Sequence, residues 1–155
     1  ADLGTVVPGR MVDDDCQILL RFANGARGAL LASQISVGER NGLTIRIYGE
    51  KAGLTWRQEH PNQLWLSHDD GRVELVQAGD PGLGGAAQWA SRTPGGHPEG
   101  YLEAFANLYR DFAKLVRGEE GALIPGIADG LRGMALIEQA VALSKAGAGW
   151  TRFTV

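Results

Sequence analysis

Hairpin-forming segments follow one another through the first half of the chain, with no stretch between them long enough for a crossover helix. From Cys16 to Phe22 the residues alternate. Cys16, Ile18, Leu20 and Phe22 fall on one face, Gln17, Leu19 and Arg21 on the other, and Asn24-Gly25 follows as a turn. A returning strand is expected over about 26–36. Leu43, Ile45 and Ile47 then alternate with Thr44, Arg46 and Tyr48, the pattern of a half-buried strand. Further short strands are expected at 54–57, 64–67 and 72–76, the last two joined by Asp69-Asp70-Gly71. Strands joined by tight turns must pair antiparallel, since parallel neighbours need a long crossover. Glycine supplies the turns: it is 23 of 155 residues, roughly twice the usual ~7% share.

The second half changes character. Residues 80–96 are dominated by Gly, Pro, Ala and Ser with Trp89 and Arg92 embedded, and they read as one long loop. Tyr101, Phe105, Leu108, Phe112 and Leu115 are then spaced 4-3-4-3, a helical apolar stripe. Glu103, Asn107, Arg110, Asp111 and Lys114 face away from it. Pro98 fits the first helical position, Glu99 complements the dipole and Gly118 ends the helix. A second helix is expected from Asp129, as N-cap, to Lys145. Its stripe would be Leu131, Met134, Ile137 and Val141, widened by Leu136, Ala140 and Leu143. The residues around Trp150 suggest a final strand. Strands first and helices second give an α+β class: an open, mainly antiparallel sheet with two helices packed on one face. The other face would carry Gln17, Arg21, Thr44, Arg46, Tyr48 and Arg57, open to water or covered by a partner subunit.

Composition narrows the function classes. Fifteen Lys and Arg against 18 Asp and Glu give a net charge of −3, with no basic cluster, which argues against nucleic acid or an anionic membrane as partner. No apolar run could span a bilayer. Cys16 is the sole cysteine, which fits a reducing, cytoplasmic setting. The length suits one domain over residues 1–155. The chain opens on Ala1 without an initiator Met and reads as a piece of a longer product.

Few motifs carry chemistry. Gly82-Leu83-Gly84-Gly85-Ala86-Ala87 matches a dinucleotide fingerprint in form, but only about six residues separate it from Thr93-Pro94, too few for a βαβ helix. His60, His68 and His97 are far apart, so no metal site is expected. Asp13-Asp14-Asp15 reads as a solvated approach to the first strand, and Cys16 as a buried, inert thiol. What remains is Trp89, Arg92 and Gly95-Gly96-His97-Pro98-Glu99-Gly100-Tyr101. A His and an Arg on a Gly-rich loop beside a helix N-terminus supply directional hydrogen bonds, and a Trp supplies a flat wall. The alternative is that His97 caps the helix and Trp89 packs over the sheet.

The string from Gly95 to Tyr109 closely resembles a signature in the C-terminal domain of the Gfo/Idh/MocA (glucose–fructose oxidoreductase/inositol dehydrogenase) family. Pro8-Gly9-Arg10, Leu20-Arg21-Phe22, Ser33-Gln34, Arg46-Ile47-Tyr48-Gly49-Glu50-Lys51, Trp56-Arg57, Pro61-Asn62 and Asp129-Gly130-Leu131-Arg132-Gly133 continue the likeness in order. It covers about residues 8–150. The resemblance implies the substrate-binding and oligomerisation domain of an NAD(P)-dependent oxidoreductase acting on a sugar, cyclitol or related polyol. A dinucleotide-binding domain would lie outside this chain. It implies NAD or NADP bound by that absent domain and none by this fragment, and a homo-oligomer formed through the open sheet face. The family's Gly-rich fingerprint and its Glu-Lys-Pro catalytic segment are missing, so no residue here takes a catalytic role. His97 and Arg92 are the first candidates for lining the substrate site, followed by Trp89, Arg10 and Arg40. Tyr101 is expected to pack on the sheet. The rival is a non-catalytic small-ligand-binding or dimerisation module.

Overall fold

A computed structural model describes residues 1–155. The chain forms two compact units, one of Ala1–Gly38 with Pro125–Val155 and one of Glu39–Ile124. Both are built on antiparallel strands, in keeping with the α+β order of the sequence, but the hydrogen-bonded ladder is divided into two sheets.

In the first unit β1 (Asp2–Gly4), β2 (Asp15–Arg21) and β3 (Arg27–Ser33) pair in that order. Ile18 stands opposite Leu30 and Gln17 opposite Leu31. The Asn24-Gly25 turn forms as its sequence dictates: Phe22 N–H donates to Ala26 O at 2.9 Å and Asn24 Oδ1 accepts from Ala26 N at 3.1 Å. The helix of this unit, α3, spans Ile127–Ala146 and is the third along the chain. It starts two residues before Asp129, which sits in the first turn and accepts from Gly126 N at 2.8 Å. It stops at Gly147, whose φ is 56°, with Ala148 N–H donating to Leu143 O and Gly147 N–H to Ser144 O.

α3 packs only one flank of the expected apolar face, that of Leu136, Ala140, Val141 and Leu143. Leu136, Gln139, Leu143 and Ser144 are half-buried and Ala140 is 5% exposed, while Leu131, Met134 and Ile137 are each more than half exposed. Apolar residues lie on two sides of this helix, so periodicity alone could not select one. Ser144 also closes the edge of the sheet. Its Oγ accepts from Leu3 N at 2.9 Å and donates to Leu3 O at 3.3 Å, pairing backbone groups that β1 would otherwise leave open. The final strand expected near Trp150 does not form. The tail lies irregular, with the Arg21 guanidinium 3.8 Å from the Trp150 ring centroid and Gln139 Nε2 donating to Thr154 O.

The second unit is a meander of β4 (Thr44–Tyr48), β5 (Ala52–Arg57), β6 (Gln63–His68) and β7 (Val73–Gln77). The alternation of β4 predicts a half-buried strand, whereas every residue of it is exposed. It is an edge strand, and nothing in its own unit covers Ile45 and Ile47. Within the segment expected to be loop, Gly85–Ala90 forms a short helix, α1. It is followed by loop and then α2 (Tyr101–Val116), not by a parallel strand, so Gly82–Ala87 is no βαβ turn.

The orientation of α2 reverses the sequence reading. Tyr101 is 69% exposed, in contact with Phe105 at 4.8 Å between centroids rather than packed on a sheet, and Phe112 and Leu115 are more than half exposed. The polar side carries the contacts: Asn107, Arg110, Asp111 and Lys114 all meet α1. No helix is long and apolar enough to cross a membrane.

Candidate functional site

The polar side of α2 is fixed by one buried carboxylate. Asp111, 4% exposed, accepts from the Trp89 indole N–H at 3.1 Å and from Leu123 N at 3.0 Å. The Leu123 amide outweighs burial and, with Trp89, Arg110 and Lys114, holds its carboxyl below the ordinary aspartate range. The Arg110 guanidinium and the Lys114 ammonium stand 3.8 and 3.6 Å from the Trp89 ring centroid. Arg110 also donates to Trp89 O at 2.8 Å, and Asn107 Nδ2 to Ala90 O at 2.8 Å. Trp89 therefore anchors α1 to α2. It packs on a helix rather than over a sheet, and its indole N–H is already used.

Between these helices runs the loop 91–100. A carboxylate organises it from inside: Glu99 Oε1 accepts from Arg92 N, from Thr93 N at 2.5 Å and from Thr93 Oγ1 at 2.9 Å. Burial pushes the Glu99 carboxyl up, but these donors and the Arg92 charge overcome it and leave it lowered. Asn62 grips the same residue from the strand side. Its Nδ2 donates to Glu99 O at 2.6 Å and its Oδ1 accepts from Glu99 N at 3.2 Å, as a neighbouring strand would. Gly79 and Gly95 approach so closely that a Cβ on Gly79 would stand 2.7 Å from Gly95 N. Glu103 Oε2 accepts from Gly100 N at 2.8 Å and closes the first turn of α2.

His97 is exposed on this loop. Its backbone N–H donates to Pro94 O at 3.2 Å, and its ring Nδ1 lies 3.2 Å from the same oxygen. It does not cap α2. Arg92 shares the loop, with Nη1 donating to Glu103 O at 2.9 Å. His97 and Arg92 both stand on this braced segment, with Trp89 three residues before Arg92 and eight before His97 but turned into α2.

The remaining two candidates lie elsewhere. Arg10 belongs to the first unit and pairs with Asp14 at 3.3 Å. Arg40, at the start of the second unit, is exposed and makes no side-chain hydrogen bond or ion pair. Asp14 corrects the reading of the acidic triplet as solvated. It is 3% exposed and accepts from Val6 N at 2.8 Å and Val7 N at 3.0 Å. The Val6 amide, against burial and helped by Val7 and Arg10, lowers its carboxyl. The half-buried Cys16 thiol is pushed up by burial and by the charges of Asp13 and Asp15, which keeps it protonated. No three His, Cys, Asp or Glu side chains cluster as metal ligands.

Sequence reasoning missed Glu99 as the loop's internal acceptor, Asn62 as its clamp and Asp111 as the helix anchor. It also missed a cleft of about 420 Å³ in the first unit, lined by Leu19, Leu31, Leu136, Leu143, Trp150 and Phe153 among others. The cleft is mainly apolar and brings no set of titratable groups to one point.

Residues 3–151 match the model of an oxidoreductase family's C-terminal alpha/beta domain. Among curated proteins, an uncharacterized oxidoreductase, YfiI, of Bacillus subtilis is 31% identical over 150 residues, 92% of this chain and 38% of the relative. Among solved structures, an oxidoreductase from Sinorhizobium meliloti superposes with a TM-score of 0.93 at 39% identity, over 97% of this chain and 45% of that one. An inositol dehydrogenase homolog from Azotobacter vinelandii, complexed with NADH and myo-inositol, does so with a TM-score of 0.92 at 31% identity. That match covers 98% of this chain and 42% of that one. The chain spans less than half the length of these relatives.

Proposed function

We propose that this chain, which belongs to the Gfo/Idh/MocA oxidoreductase family as its C-terminal alpha/beta domain, is the substrate-side and oligomerisation domain of an NAD(P)-dependent dehydrogenase of a sugar, cyclitol or related polyol. The observation that carries this reading is the loop 91–100, where the Glu99 carboxylate and the Asn62 clamp brace the segment that carries His97 and Arg92. Rigid presentation of hydrogen-bonding groups is the positioning share of catalysis. The relative complexed with NADH and myo-inositol supports both the nicotinamide and the polyol.

The residues of this chain do not suit the cofactor: the Gly82–Ala87 segment leads into a six-residue helix within an antiparallel unit. The dinucleotide belongs to residues outside these 155. A bound nicotinamide supplies hydride exchange with a carbinol carbon. His97 and Arg92 orient the polyol hydroxyls, and Trp89 holds the segment before them to α2 through Asp111; Arg10, paired with Asp14 in the other unit, braces its own segment. Arg40 is left with a free guanidinium for a further hydroxyl.

Oligomerisation rests on a separate observation. Ala140 is the only buried apolar residue, while Leu19, Leu31, Ile45 and Ile47 are each at least half exposed. Apolar surface on this scale marks interfaces, and a homo-oligomer in a reducing cytoplasm covers it. The test of the site is His97→Ala in the full-length oxidoreductase. KM for the polyol should rise about tenfold, the worth of one hydrogen bond of about 1.4 kcal/mol. Wild-type kinetics in that variant would remove His97 from the site.

A further inference from the structure

Glu99 reaches His97 through an unbroken series of short contacts. Its Oε1 accepts from Thr93 N and so sets the position of Pro94, the next residue, whose carbonyl oxygen lies 3.2 Å from His97 Nδ1. The Thr93 hydroxyl, within 2.9 Å of Glu99 Oε1 and 3.0 Å of His97 O, braces the other side of the loop and donates to one of them at a time. Asn62 fixes Glu99 itself by both backbone groups. A carbonyl oxygen only accepts, so the hydrogen bond to Pro94 O requires the proton on Nδ1. The neutral ring then keeps its lone pair on Nε2.

We infer that Glu99, seated by Asn62, is a positioning residue that holds His97 in the Nδ1–H tautomer and so presents Nε2 as an acceptor for a substrate hydroxyl. The inference rests on the reading of His97 as a substrate contact, and it specifies what that contact selects. An Nε2 lone pair takes a hydroxyl donor and repels a carboxylate or phosphate at the same point. The substrate group facing this loop is therefore a neutral alcohol. Glu99 touches no substrate; it acts through Thr93 and Pro94.

Two measurements test this together. Nitrogen-15 NMR of the imidazole in the 155-residue chain should show the Nδ1–H tautomer at His97. Glu99→Ala should mix in the Nε2–H form, and Glu99→Gln, which keeps Oε1 as acceptor, should restore the original one. Asn62→Ala reaches the same point independently if Glu99→Ala folds poorly. An Nε2–H ring in the parent chain, or a tautomer indifferent to both Glu99→Ala and Asn62→Ala, overturns the inference. In the full-length oxidoreductase, Glu99→Ala should raise the polyol KM by about tenfold and add nothing when His97→Ala is already present. Additive effects refute action through His97. The expected NMR pattern with unchanged KM in His97→Ala refutes the substrate contact instead, so the two failures are distinguishable.

Discussion

Gly79 sits where β7 has ended and the chain turns back toward the loop that carries His97, and a single methyl group there should be costly. Its φ of +83° is one that L-residues rarely adopt, and an added Cβ would meet Gly95 N at 2.7 Å, Gly95 Cα at 3.0 Å and Pro94 C at 3.1 Å. Ordinary contact begins at 3.4 Å, so backbone must move by more than half an ångström on one side or the other. Gly82 is the internal control: its φ is +88°, and nothing lies within 4 Å of its added Cβ. Left-handed backbone costs an L-residue about 1–2 kcal/mol, and the stiffer unfolded chain returns about 0.4–1 kcal/mol. Gly82→Ala should therefore destabilise by about 1 kcal/mol. Gly79→Ala carries the same terms and adds an overpacking cost of about 1–3 kcal/mol. Thermal unfolding followed by tryptophan fluorescence should place Gly79→Ala below Gly82→Ala by about 4–8 °C, for a difference of ~2 kcal/mol in a chain of this size. Equal melting temperatures for the two variants would refute the close approach of Gly79 to Gly95.

Ser144→Ala should cost about 1–3 kcal/mol, since the partly buried Leu3 N–H loses its acceptor; denaturant unfolding reads this, and a change below about 0.5 kcal/mol would remove Ser144 as the edge closure. The lowered carboxyls of Asp14 and Asp111 set an acid limit. Each binds its proton less readily folded than unfolded, so its stabilisation is complete above the ordinary aspartate value of 3.8 and is lost as pH falls through the lower folded value. Melting temperature should fall steeply below about pH 4, and less steeply in Asp14→Asn; a flat profile down to pH 2 would contradict the buried acceptor roles.

The elements legible in the sequence are those whose cause is local. Asn24-Gly25 and Asp69-Asp70-Gly71 demand turns wherever they occur, the alternation around them demands strands, and Gly147 ends a helix by its own φ. The apolar stripe from Tyr101 to Leu115 correctly announced a helix and pointed it the wrong way. Periodicity reports which side is apolar, whereas packing is decided by what lies alongside, and here α1 lies on the polar side. Glu99 reads locally as a helix-dipole residue, and its real partners, Arg92, Thr93 and Asn62, include one 37 positions upstream.

By itself, then, the sequence determined antiparallel pairing, the strand-then-helix order, the family likeness and the loop on which His97 and Arg92 stand. Only the tertiary structure decided that Trp89 anchors a helix through Asp111, that Asp14 is an internal acceptor rather than a solvated charge, and that Glu99, gripped by Asn62, braces the loop on which His97 stands. The division follows from range. A turn or helix stop depends on the φ values available to one or two residues, while a buried acceptor depends on donors that folding brings from distant parts of the chain.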